Sequence, residues 1–298
     1  MTVSTNVLWL LVALFAGATI ADVLAPSLFL TVVQLCLMVA FALLHGAQRY
    51  GAKGIAAFAL ICLVVSNAIE NIGVATGFPF GAYFYTDSLG RKLFYVPLLI
   101  GPAYLSVGYM AWALATILVG DVKRGADKFT AFATPFIGAF IMVLWDVALD
   151  PGAATIEKRW IWEHGGGFFG VPLTNYLGWF FTVYLFMQLF ALYLRARGEA
   201  TGAAESKGYL FQVIAMYAIV ASHFVLSYLV EGSEPVTDIN GVTWRSGDIY
   251  ETAAIIAIFS MGFVCALASI KVVGVSETPR RRRTDKVPPR RAAPKRLR

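Results

Sequence analysis

Long apolar runs separated by short polar segments dominate this chain. Eight of them approach or reach the roughly 20 residues that a helical membrane span needs. They run over Val7 to Val23, Ser27 to Leu44, Gly54 to Gly73, Phe94 to Val119, Phe129 to Leu149, Leu173 to Leu194, Tyr209 to Val230 and Tyr250 to Val273. The pattern predicts an all-α, polytopic transmembrane bundle of about eight helices. The first two runs are short enough to form one hairpin seated shallowly. Met1 to Asn6 holds no Lys or Arg, so the first run lacks the basic start of a cleaved signal peptide and is expected to stay as a helix.

The polar positions that interrupt these runs carry the chemical information. The third run ends in Glu70-Asn71-Ile72-Gly73, followed by Gly77, Phe78, Pro79, Phe80, Gly81, Tyr83 and Tyr85. A carboxyl and an amide thus stand at a helix end that glycine and proline break and aromatic rings line. Acids this close to hydrocarbon are costly enough to suggest a functional role. The plainer reading is a helix cap beside an aromatic interface belt. Ser66 and Glu70, like Asn67 and Asn71, lie four apart, so two faces of that last turn must meet protein or water. In the fourth run Pro97, Gly101, Pro102 and Gly108 predict a kink that leaves room for a long ligand.

The fifth run ends Trp145-Asp146-Val147-Ala148-Leu149-Asp150-Pro151-Gly152. Its period puts Asp146 and Asp150 on one face, and Pro151 with Gly152 predicts the helix end. Adjacent acids in a desolvated place favour keeping one carboxyl protonated, the state needed for acid chemistry. Solvated aspartates at a helix end are the alternative. The loop from Ala153 to Pro172 mixes Trp160, Trp162, Phe168 and Phe169 with glycines, as expected of a loop on the membrane surface or capping a pocket. Asn175 and Trp179 then share a face of the sixth helix. His223, Ser227 and Glu231 form a stripe on the seventh that could hold water or relay a proton, unless His223 is bonded to a backbone carbonyl. Asp22 reads as a solvated turn residue, His45 as a cap for the last helical carbonyls, His164 as exposed and Asp248 as a cap or first-turn acid.

Composition agrees with the pattern: 58% of the 298 residues are hydrophobic and 14% charged, far from the soluble range. Cys36, Cys62 and Cys265 show no paired spacing, and three scattered histidines do not suit a multi-histidine metal centre, so no metal is expected. Nineteen of the 24 Lys and Arg fall on one side of an eight-helix topology. The positive-inside rule then puts both termini in the cytoplasm of a bacterial or archaeal cell and the Glu70 loop toward the outer face. Residues 1–275 form the expected transmembrane domain. Ser276 to Arg298 carries ten Lys and Arg and four prolines and reads as a disordered basic cytoplasmic tail resting on anionic lipid. Nothing else in the chain favours nucleic acid as a partner.

No phosphate loop, dinucleotide fingerprint or nucleophile elbow is present. Three acids among aromatic rings suit protonation of an alkene, whose carbocation the ring faces stabilise. The segments Glu70 with Gly73, Thr76-Gly77, Pro79 to Tyr85, Asp146 with Asp150-Pro151, Phe169 to Pro172, Asn175 and Gly178-Trp179 resemble the integral-membrane carotenoid biosynthesis family of the CruF type, which includes bisanhydrobacterioruberin and gamma-carotene hydratases. The resemblance covers roughly Glu70 to Trp179 by motif. It implies a hydro-lyase that adds water to the terminal double bond of an acyclic carotenoid end group without a redox cofactor, acting in the lipid bilayer and open to contact with other carotenoid biosynthesis enzymes. The residues suggest Asp146 or Glu70 as proton donor, water held by Asp150 and Asn175, and substrate held among Asn71, Phe80, Tyr83, Tyr85, Trp145, Trp179 and His223. A carotenoid end-group cyclase and a proton-coupled transporter of a lipophilic molecule remain the alternatives.

Overall fold

The computed structural model describes residues 5–197 and 206–274; the expected basic tail lies outside the described residues. Among the described residues, seven long helices are apolar enough to cross a membrane. They include α1 (Thr5–Leu24), α2 (Leu28–Thr76), α3 (Ile100–Leu118), α4 (Lys128–Asp150), α5 (Leu173–Arg197) and α6 (Lys207–Val230). The last consists of α7 (Ser246–Ile256), a π-helical turn and α8 (Gly262–Gly274) in one rod. The protein is an integral membrane bundle, with side chains such as Phe29, Leu60, Leu173 and Phe259 exposed on its outside.

The count of seven and the expected eight differ at Gly51. A straight helix of 49 residues would be about 74 Å long, more than twice the hydrocarbon core of about 30 Å. Gly51 takes a positive φ of 66°, which costs a glycine little. A Cβ on Gly46 would collide with the Ile55 side chain, although these residues would stand about 13 Å apart along one straight helix. The chain therefore doubles back, and α2 is two antiparallel spans, 28–50 and 52–76.

Helix α3 is the central post. It is the least apolar of the spans and the most buried. Every residue from Tyr104 to Ile117 is covered, because α2, α4, α6 and α8 surround it. Protein packing thus replaces lipid as its solvent, and its hydroxyls find protein partners.

Several expectations about helix ends change. The fourth span starts at Ile100 rather than Phe94, since Val96–Pro97 is a short strand, β3, paired with β2 (Lys92–Leu93). Pro102 falls in the first turn of α3, where a missing N–H costs no helical bond, so the prolines start this helix and do not require a kink. Pro151 does not end α4. Its φ of −58° is helical, and the chain continues as a π-helical turn over Pro151–Ile156. His45 is fully buried instead of capping its own helix: its ring bonds the Tyr109 hydroxyl at 2.6 Å and the Tyr209 carbonyl at 3.0 Å, tying α2 to α3 and α6. Asp248 does lie in the first turn of α7, and His164 is exposed.

Candidate active site

The loops that follow the Glu70 and Asp150 helix ends meet as a small sheet. Strand β1 (Tyr83–Tyr85) pairs antiparallel with β4 (Trp160–Trp162), matching Tyr83 with Trp162 and Tyr85 with Trp160. Alternate side chains on a strand share a face, so these four rings turn inward while Phe84 and Ile161 turn outward. The two aromatic loops therefore make one roof. Trp162 Nε1 fastens it by donating to the Phe80 carbonyl at 3.1 Å.

Phe80 is wedged between two helices. A Cβ on Gly73 would lie 2.6 Å from its ring, and one on Gly178 would lie 2.7 Å from it and 3.0 Å from the Pro79 carbonyl carbon. The small residues on α2 and α5 are what admit the roof. The α2 helix ends at Gly77, whose N–H closes on the Gly73 carbonyl with φ at 77°; Gly73, expected in the break, is helical.

Beneath the roof Glu70 is 2% exposed and accepts three phenolic hydrogen bonds. Tyr83 and Tyr85 donate to Oε2 at 2.5 and 2.9 Å, and Tyr104 donates to Oε1 at 2.7 Å. Burial, with the Glu70 carboxyl beside them, holds the Tyr83 and Tyr85 phenols well above their usual range, so both remain donors. Tyr104 stacks face to face on Trp179 at 4.3 Å, and Trp145 stands edge-on to Trp179 at 6.0 Å.

Asp146 and Asp150 are also buried, at 0% and 1% exposure. They lie within hydrogen-bonding reach of each other. Asn175 Nδ2 joins them, donating to Asp146 at 3.3 Å and to Asp150 through a shorter contact. Asp146 Oδ1 has no hydrogen-bond partner among the described residues.

A cavity of about 190 Å³ lies against these groups. Its walls include Glu70, Asp150, Asn175 and His223 with Phe80, Tyr83, Tyr85, Trp145 and Trp179. Asp146 does not line it and sits behind Asp150. Asn71 is also outside it: its amide bonds the Asn67 carbonyl at 2.8 Å and its oxygen accepts the Tyr95 N–H at 2.9 Å, pinning the β2–β3 loop to α2. Asp22, expected as a solvated turn residue, lines the cavity, and His223 Nδ1 finds no carbonyl or other hydrogen-bond partner among the described residues.

Two further residues of the site, Gln34 on the cavity wall and Tyr104 against Glu70, do not stand out in the sequence. Tyr104 is an aromatic residue inside an apolar run, where a packing role is the ordinary expectation, and only its contact with Glu70 marks it. Gln34 lies in the second run, and its bare polarity at mid-span was the one available signal.

The fold and site define a polytopic membrane protein with buried carboxyls under an aromatic roof. The chain belongs to the carotenoid biosynthesis protein family, whose model matches residues 27–237, the family its motifs resemble. Over 130 residues it is 36% identical to the bisanhydrobacterioruberin hydratase of Haloarcula japonica, a stretch covering 42% of this chain and 41% of that relative. The match therefore spans about two fifths of the relative's length. No solved structure matches the chain.

Proposed function

We propose that this protein adds water across the terminal double bond of an acyclic carotenoid end group by acid catalysis, giving a tertiary alcohol. The observation that carries the reading is the meeting of two buried carboxyls, Glu70 and Asp150, on one aromatic-walled cavity, with a third, Asp146, buried behind Asp150. Its volume is below the roughly 300 Å³ of typical small-molecule sites, which suits one end of a long polyene better than the whole of it. Family membership and the hydratase relative support the same reading.

In the proposed reaction, neighbouring buried carboxyls hold a proton between them, and Asp150 presents it because it is the member on the cavity wall. The alkene π bond takes that proton to form a C–H bond, leaving a tertiary cation. The faces of Tyr83, Tyr85, Trp145 and Trp179 stabilise it, and the Glu70 carboxyl aligns three phenols beside it. Water then forms the C–O bond and gives up a proton, so the cycle consumes no acid. Asn175 uses its Nδ2 on both aspartates and so orients the acids rather than the water.

Expression in a lycopene-producing host followed by pigment mass analysis tests this. The expected product is heavier than its precursor by one or two waters. A product of unchanged mass would indicate a cyclase, and no conversion would leave a transporter.

We also propose that both termini face the cytoplasm and that the roof faces outward, on the basis of the 19 to 5 split of basic residues. Reporter fusions at Lys128 and Lys207 should read as cytoplasmic and one at Arg91 as external. A cytoplasmic signal at Arg91 would reverse this orientation.

A further inference from the structure

The mechanism above leaves the attacking water without a holder, and the wall of the cavity contains two buried polar atoms that it does not use. Gln34 Nε2 and His223 Nδ1 line the same space and have no hydrogen-bond partner among the described residues. Buried polar groups are almost always satisfied by protein or by ordered water, so each such exception needs an explanation. Gln34 and Glu70 lie nearly equal numbers of residues before and after Gly51, so the α2 hairpin returns them to one depth. They belong to different spans and face one cavity.

This cavity adjoins a second, of about 330 Å³. The two share Asp22, Leu149, Glu157, Arg159 and His223 as walls. The lining of the second also includes Ser27, Ser88, Ser227 and Glu231 among apolar neighbours such as Val23, Leu28 and Ile249. His223 and Ser227 share one face of α6, and Glu231 caps the end of that helix. The second cavity is thus a vestibule that meets the aromatic chamber at His223 and carries acids, an arginine and hydroxyls on its wall.

We propose that Gln34 and His223 form the subsite that holds the attacking water, with the vestibule supplying it. The inference rests on the hydratase reading and adds to it the source and the seat of the water. Gln34 Nε2 donates to the water oxygen, and the water donates one hydrogen to His223 Nδ1. One lone pair is then left to attack the cation. When the C–O bond forms, the proton released passes to His223 and returns through vestibule water to the ionised carboxyl pair. A buried water needs two to four polar partners, and Thr31 on the cavity wall is available for a further bond.

The test separates protonation from capture. Membranes carrying wild type, Gln34→Leu or His223→Phe are given an acyclic carotenoid in D2O, and both hydrated product and deuterium in the recovered unhydrated pigment are measured. Without a held water, the cation instead returns a proton from an adjacent carbon to the carboxylate. Gln34→Leu and His223→Phe should therefore lose at least tenfold in hydrated product while recovered pigment still gains deuterium. That retained exchange also shows that the variant is folded and binds substrate. Unchanged hydration overturns the subsite and leaves the hydratase reading standing. Loss of both hydration and exchange in inserted protein also overturns it, by placing these residues in binding or protonation. If Gln34→Leu does not accumulate, Gln34→Met and His223→Asn decide by the same two readouts. Absence of hydrated product from wild type overturns the hydratase reading, and the subsite with it.

Discussion

Asp150→Asn is expected to reduce hydration of the carotenoid end group by a factor of about a hundred to ten thousand, the usual cost of losing a positioned acid. Asparagine keeps the shape and can still meet Asn175, but it has no proton to transfer. Asp146→Asn should cost a similar factor by a different route, since Asp150 then loses the neighbour with which it shares a proton. The residues alone favoured Asp146 or Glu70 as donor and gave Asp150 a water-holding part. The cavity changes that order, because Asp150 lines it and Asp146 lies behind. The measurement is pigment conversion by membranes with matched amounts of inserted protein. Near-normal conversion by Asp150→Asn would remove the aspartate pair from the chemistry.

Glu70→Gln is expected to abolish detectable hydration and also to weaken the fold around the roof. Glu70 accepts from Tyr83 and Tyr85 on one oxygen and from Tyr104 on the other. An amide has only one acceptor oxygen. If that oxygen serves the two roof tyrosines, the Tyr104 hydroxyl faces an NH2 group and its hydrogen is left unmatched in a buried place. An orphaned buried donor costs about 1–3 kcal/mol, so thermal unfolding in detergent should occur at a lower temperature. Adding Tyr104→Phe removes the orphaned hydroxyl but also the acceptor that faces the new NH2 group, so the double variant should recover neither stability nor activity and should lose less than the sum of the two single losses. This coupling is expected only of residues in direct contact. A Glu70→Gln protein as stable and as active as wild type would mean that the three phenols do not depend on this carboxyl.

The division between what was legible in the residues and what was not follows the range of the forces involved. Hydropathy is a local property, so the membrane bundle and most span positions could be read from runs of apolar residues. The i, i+4 rule likewise put Asp146 beside Asp150 on one face, and the cost of an acid near hydrocarbon singled out Glu70. Motifs within a short window were sufficient to indicate the family.

Tertiary structure decided which of these groups share a chamber. The β1–β4 pairing joins residues separated by about 77 positions, and no local period encodes a partner so distant. It turns Tyr83, Tyr85, Trp160 and Trp162 into one roof, and it is the return of three helices to the same depth that places Glu70, Asp150 and Gln34 around one space. Tyr104 and Gln34 were hidden for the same reason: each is one polar group in an apolar run, and its meaning lies in what stands opposite. Asn71 shows the reverse case, a polar residue next to the key acid whose helix position turns it to a loop backbone instead of the cavity. Local hydropathy and residue type were enough for the membrane architecture and the kinds of chemical groups available. Packing between distant spans decided which of those groups face each other, because burial and hydrogen-bond geometry depend on neighbours that only the folded chain supplies.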